Sequence, residues 1–476
     1  MRNGFSMRPI GFVLSPLCLV LAALGGCAVQ EPRTSVAIAL PGAWSTAAAS
    51  PAQAATGSDE VVPAQWWAGF GSKQLPALVR QTLAGSTDVL TAAQRVRQAD
   101  IALQLAGASR LPGVSASAGS SASRSEGSSM RKSSSVSLNV SYEVDLWGRL
   151  DADAQSAQAA LDATRFDLET IRITVAASVA STYFQRLALR ERLDIARQNL
   201  ATAERVLGIV RARARNGVAT PLEVSQQTTT VLQQRTALAP LEFQERQTAS
   251  ALALLLGRQP IGFDAGAQEA LAQLTHPAIG AGLPSALLAR RPDLRSAEAR
   301  LAAADANVAA ARAALLPSFS LSAGGGISSA ALVSLAGGTG SASLAASLAQ
   351  TLFDGGRRQL QVESARSQRE VLIQAYSSAV HGALKEADDA LAANVTSRRQ
   401  EQTQKEVVAH ARRSLALAKL RYREGADTLL TVLDAQRTLF STQDTLVQQQ
   451  LARLTSTVDV YRALGGGWQP DDDPAG

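Results

Sequence analysis

Leu24-Gly25-Gly26-Cys27 sets small residues directly before a thiol, and Cys27 is the residue of this chain whose setting most clearly calls for covalent chemistry. The order is that of a bacterial lipobox: cleavage before Cys27, then acylation of its sulfur and of the new amino end. Arg2 and Arg8 supply a basic start, and an apolar run from Ile10 to Leu24, interrupted by Pro16, supplies the core of an export signal. Each buried CH2 contributes about 0.8 kcal/mol, so several acyl chains anchor stably where one would be marginal. A plain signal peptide with a chance cysteine would share the first two features, but not the ordered Leu, Gly, Gly and Cys. Cys18 leaves with the signal, so no disulfide is expected in a compartment that would permit one. Ala28, not aspartate, follows the cysteine, so no inner-membrane retention signal stands there.

Other residue patterns that could do chemistry do not assemble. His276, His381 and His410 are scattered without cysteine or carboxylate at ligand spacing, so no metal is expected, and isolated histidines are usually solvated. Gly324-Gly325-Gly326 follows a strand but opens no helix bearing Lys or Ser/Thr, so it is expected to be a barrel loop and no phosphate cradle. Asp471-Asp472-Asp473 reads as a solvated tail. No enzyme and no cofactor follow from these residues. With 46 Lys and Arg against 40 Asp and Glu the charge is evenly mixed, and without a basic stripe interleaved with aromatics nucleic acid is excluded as a partner.

The elements that must position any site come in two copies. Gly148-Arg149, Asn216-Gly217, Thr220, Val224 and Leu256-Gly257 recur 208 residues downstream as Gly356-Arg357, Glu424-Gly425, Thr428, Val432 and Leu464-Gly465. Leu75-Pro76 recurs at Leu283-Pro284 on that spacing, and Leu111-Pro112 recurs three residues short of it, at Leu316-Pro317. The organisation read from this is a signal peptide over 1–26, an acylated tether and equatorial segment over 27–74, and a first repeat over 75–256. A linker and equatorial segment follows over 257–282, then a second repeat over 283–464 and a tail over 465–476. Within the first repeat the expected elements are a helix over about 75–110, strands within 113–146, a very long helix over 151–215 and another over 221–256. In the second they are a helix over 284–315, strands within 318–353, a long helix over 357–423 and a last over 428–464.

Val136, Leu138, Val140, Tyr142, Val144 and Leu146 alternate with Ser137, Asn139, Ser141, Glu143 and Asp145, the period of a strand with one greasy and one wet face. Ala342, Leu344, Ala346 and Leu348, with Ser343, Ser347 and Thr351 opposite, keep the period more weakly. Membrane barrel strands are built this way, and so are hairpins packed on a soluble core. The helix over 151–215 is on the order of 100 Å long by its rise, and Leu161, Leu168, Val175, Val179 and Leu193 recur mostly at sevens and fours, the seam of a coiled coil. It ends at Arg215-Asn216-Gly217-Val218-Ala219-Thr220-Pro221, where Gly217 stops one helix, Thr220 can cap the next and Pro221 suits its first turn. Four strands cannot close in hydrocarbon, so chains must share one barrel; three would give twelve strands. The fold class read here is therefore mainly α with a membrane β-barrel, four β-strands and long coiled α-helices per chain.

Three stretches carry a resemblance: Trp66-Trp67-Ala68-Gly69-Phe70, the run from Arg290-Arg291-Pro292-Asp293-Leu294-Arg295 to Leu316-Pro317, and the run from Tyr422 to Gln436. Through them the chain resembles the outer-membrane factor family, the TolC-like channels, and within it the lipoprotein subgroup that serves efflux pumps. The resemblance implies a homotrimer with a twelve-stranded barrel in the outer membrane of a Gram-negative bacterium, continued by a periplasmic α-helical barrel. It implies as partners a periplasmic adaptor and an inner-membrane pump expected to run on protons, with outer-membrane lipid around the barrel and at Cys27. It places a gate at Tyr422, Leu430 and Asp434, Leu430 as an apolar plug and Asp434 as a cation-selecting ring, with Thr431 where relatives can carry a second acid. It places adaptor docking at Gly217, Val218, Ala219 and Thr220 and at Gly425, Ala426 and Asp427. A protein-secretion duct and a non-conducting spacer lipoprotein are the competing functions, and the membrane-length strands argue against the spacer.

Overall fold

The computed structural model describes residues 38–45, 62–263, 266, 269–277, 280 and 282–469. Cys27, the export signal and Asp471-Asp472-Asp473 lie outside them. After a 3-10 turn at Trp66–Phe70, the order is α1 (Leu75–Gly85), α2 (Thr87–Ala108), β1 (Gly113–Ser123), β2 (Arg131–Val144), α3 (Arg149–Arg215), α4 (Pro221–Thr236) and α5 (Leu238–Leu255). The second copy gives α6 (Leu287–Arg290), α7 (Pro292–Ala313), β3 (Ser318–Ser329), β4 (Thr339–Ala349), α8 (Arg357–Arg423) and α9 (Leu429–Ala463). Contacts divide the chain into two units, one holding 98–162 and 298–375, the other 37–97, 163–297 and 376–476.

The first unit is built on one antiparallel sheet in the order β1-β2-β3-β4, so the hairpins of the two copies join through β2 and β3. Register follows the apolar period. Val114, Val140, Ala323 and Leu344 form one cross-strand row, and Tyr142, Leu321 and Ala346 another. These side chains share a face, because alternate residues of a strand point the same way. It is uncovered: Leu138 is 52%, Leu344 83% and Leu348 66% exposed. The other face carries Ser117, Ser137, Gly326 and Ser341 in one row, with Ser117 and Ser137 hydroxyls 2.8 Å apart. A sheet packed on a soluble core would bury its apolar face; this one leaves it open, and β1 and β4 keep unpaired edges. Two expected members fall outside the strands: Leu146 lies past β2, and Thr351 lies past β4, where it accepts from Arg358 Nη2 at 2.7 Å, whereas Gly324-Gly325-Gly326, expected in a loop, lies within β3 and pairs on both sides.

The core of the second unit gathers around the aromatic segment. Trp66 stacks on Tyr461 at 5.2 Å between ring centroids, and Phe70 meets Phe184 at 4.9 Å. Val179, Tyr183 and Leu187 of α3 and Leu454 and Val458 of α9 close around them. Burial of these large rings supplies most of the local driving force. Of the expected seam, Val175, Val179 and Leu193 are buried here and Leu161 in the other unit, whereas Leu168 is half-buried.

Three helices expected to be continuous are broken. The 75–110 helix divides at Ser86, whose N–H bonds to Thr82 O at 2.8 Å, and the 284–315 helix divides at Arg291, whose extended backbone suits the residue before Pro292. The 221–256 helix divides at Ala237: Pro240 has no N–H to return to Thr236, and its ring crowds that carbonyl. The last helix of the second copy has no such proline and runs unbroken from Leu429 to Ala463. Gly257 and Gly465, recurrent in the sequence, both take positive φ, at 67° and 93°. A Cβ on Gly257 would overlap the carbonyl of Gly85, and one on Gly465 that of Arg290.

Candidate functional site

The two helix reversals at α3–α4 and α8–α9 lie within the second unit and are tied together. Each helix stops in the same way. Gly217 takes φ 73° and Val218 N–H returns to Arg213 O at 2.9 Å; Gly425 takes φ 75° and Ala426 N–H returns to Arg421 O at 2.9 Å. A left-handed glycine followed by that bond satisfies carbonyls a helix end leaves free.

Restarting differs between the copies. Thr220 Oγ1 accepts from Glu223 N at 3.3 Å and Glu223 Oε2 accepts from Thr220 N at 2.7 Å, a reciprocal capping box in front of Pro221. Thr428, its counterpart, makes no side-chain cap. Asp427 substitutes: its Oδ1 accepts from Thr428 N at 2.8 Å and from Thr431 Oγ1 at 2.7 Å, and its Oδ2 from Arg421 Nε at 3.2 Å. The Thr431 hydroxyl leads the interactions that hold the Asp427 carboxyl below its ordinary range.

Arg213 and Glu223 bridge the reversals, and neither was singled out in the sequence. Arg213 Nη1 donates to the carbonyls of Tyr422 at 2.7 Å and Arg423 at 3.2 Å, and its guanidinium sits 4.6 Å from the centre of the Tyr422 ring. Tyr422 is 4% exposed, in a cluster with Val206, Val210, Leu429 and Val432, and its hydroxyl donates to Glu223 Oε1 at 3.4 Å. Burial, then the negative charge of Glu223, push that hydroxyl upward, so it stays protonated as a donor. Arg421 is the repeat counterpart of Arg213 but turns back onto its own reversal.

The other expected gate residues are elsewhere. Leu430 is 60% exposed, and Asp434, one helical turn on, is exposed and pairs, among the described residues, with Arg437 Nη2 at 3.0 Å. They share a face of α9, whereas Tyr422 lies near the end of α8. Of the expected docking residues, Gly217, Val218, Thr220, Gly425 and Ala426 are exposed; Ala219 and Asp427 are half-buried.

His381 and His410 are exposed, but His276, expected to be solvated, is half-buried, with its pKa lowered first by burial and then by Arg453. Nearby, buried Glu401 accepts from Lys405 Nζ and Arg453 Nη1, each at 2.7 Å. Burial alone would raise this carboxyl, yet the two cations bring it below its ordinary range. Among the described residues no group of three potential metal ligands occurs, and no helix is long and apolar enough to cross a membrane.

An uncovered apolar sheet face joined in sequence to helices of 67 residues is the arrangement against which known proteins can be compared. The pattern of the outer membrane efflux proteins matches residues 78–258 and 283–466. The chain belongs to the outer membrane efflux protein family. It is 41% identical to the pyoverdine export outer membrane protein OpmQ of Pseudomonas putida, over 97% of this chain and 98% of that one. It is 32% identical to the toluene efflux pump outer membrane protein TtgI of Pseudomonas putida, over 94% and 97%. Among solved structures, the CusC channel described for folding and transmembrane channel formation superposes with a TM-score of 0.84 at 28% identity, covering 92% of this chain and all of that one. As an outer membrane efflux protein, the chain is a channel component of the outer membrane.

Proposed function

We propose that this outer membrane efflux protein is the passive exit duct of a three-part export system, closed and opened at the paired reversals. The unpaired edges of β1 and β4 carry the reading. A sheet with one apolar face uncovered and two free edges cannot stand in hydrocarbon, so other copies must complete it; three give twelve strands, within the range of bacterial barrels. In that assembly the long helices form the periplasmic tube. Acylated Cys27 holds the chain end at the membrane. The duct performs no catalysis: energy comes from an inner-membrane pump, passed on by a periplasmic adaptor.

Leu430 and Asp434 serve as the constriction, one withholding water and the other favouring cations, because their shared exposed face is free to meet its symmetry mates. Tyr422 acts differently, as the bolt that Arg213 and Glu223 hold across the two reversals. The exposed turns at Gly217–Thr220 and Gly425–Asp427 are the surface offered to the adaptor. The relatives are named for pyoverdine export and for toluene efflux, and the wet sheet face, lined by serine, glycine and asparagine, suits small molecules of varied chemistry. Single-channel recording of Leu430→Ala and Asp434→Ala tests the gate. The first should raise resting conductance and the second reduce cation preference; wild-type values in both would remove the assignment.

A further inference from the structure

The outer end of the sheet carries a surface that the duct itself does not require. Ser120 and Ser134 face each other on the apolar side of β1 and β2, interrupting its otherwise apolar residues. Loop 330–338 folds over them: Ser134 Oγ donates to Ala331 O at 2.8 Å, and Val333 N–H donates to Ser120 Oγ at 3.3 Å. Ser134 is left 6% exposed although it stands on an open face. Val333 takes φ 54°, a left-handed backbone that a β-branched residue adopts only at a cost. The strain places an apolar side chain outward, with Val333 83%, Leu332 46% and Leu335 39% exposed in a loop without a charged residue.

Beside this loop stands a patch of charge. Lys132 lies one alternation beyond Ser134 on the same face, Arg131 on the opposite one, and Arg124 in the connecting turn, against the single acid Glu126. Among the described residues the side chains of all three cations are exposed and without an ion-pair partner. The unbroken apolar rows run from Val144 to Val136, roughly 27 Å of strand at about 3.4 Å per residue; a tilt of about 35–45° brings this to about 19–22 Å, so an apolar band of about 25 Å ends near Ser134. Ser134, Lys132 and the loop therefore fall where hydrocarbon gives way to headgroups.

We infer that this end of the sheet binds a phosphorylated, multiply acylated lipid of the outer leaflet. Loop 330–338 lies against its acyl chains, and Lys132, Arg131 and Arg124 meet its phosphates. Apolar exposure and unpaired cations meet at one depth, and both are complementary to such a lipid. The inference rests on the outer-membrane orientation given above.

The test uses full-length protein reconstituted in phosphatidylcholine vesicles with or without lipid A, then re-extracted and weighed intact to count retained lipids. Wild type should retain lipid A. The triple variant Arg124→Ser, Arg131→Ser, Lys132→Ser and the single variant Val333→Asp should each retain at least roughly tenfold less, with single-channel conductance unchanged. Equal retention by wild type and both variants would overturn the proposal, as would displacement of the lipid by millimolar inorganic phosphate. Absence of conductance in the wild type would count against the duct itself, a separate readout from lipid retention.

Discussion

Arg213 does more than its position at a helix end requires. One guanidinium satisfies two carbonyls of the opposite reversal and lies over the Tyr422 ring, so it links helix ends that are 208 residues apart in the sequence. Arg213→Ala removes a charged donor from both carbonyls and leaves Tyr422 O only the N–H of Gly425, at 3.2 Å, and about 1–3 kcal/mol of local stability should be lost. Higher resting open probability in bilayer recordings, with little change in overall melting, is the expected result. Glu401 governs a different property. Its folded pKa is lowered, so its contribution is present above the ordinary carboxylate range and is lost as pH falls through the lowered value. Glu401→Gln should therefore destabilise the protein near neutral pH, and the difference in melting temperature from wild type should shrink in acid. The turn glycines and the Thr220 cap were legible because helix termination has a local chemistry. Arg213 and Glu223 were not, since their roles depend on a contact between copies; Arg421, alike in sequence, turns back onto its own reversal, where Asp427 receives it.

At the scale of elements, the strand period survived and the longest helices ran unbroken, at Arg149–Arg215, Arg357–Arg423 and Leu429–Ala463, while three shorter ones divided. Alternation sets which side chains share a face, and one slip would turn the whole set over, so the apolar rows could be read from sequence. Breaks at Ser86, Ala237 and Arg291 depend on single residues within otherwise helical runs, the last two set by Pro240 and Pro292. The recurrence of Gly257 and Gly465 marked copying, and the structure adds its cause: a positive φ beside a carbonyl that leaves no room for a Cβ. Gly257→Ala and Gly465→Ala should each cost at least about 1–3 kcal/mol, seen as a fall in melting temperature, whereas Gly208→Ala, with open space around it, should not destabilise.

For the whole molecule, the repeat supplies two hairpins to one sheet and two helical pairs, and the copies diverge at the reversals. One restarts through Thr220, Glu223 and Pro221, the other through Asp427 and Thr431. That divergence gives the second reversal a buried tyrosine beside an exposed Leu430 and Asp434, while the first supplies the groups that hold the tyrosine. A duct built from such chains needs its free sheet edges completed by other copies before it can conduct. Planar-bilayer recording of the purified full-length protein tests this most directly. Stepwise, cation-preferring single-channel currents are the expected result; a protein that inserts into the bilayer and passes no ions would show that the chain does not form a conducting duct.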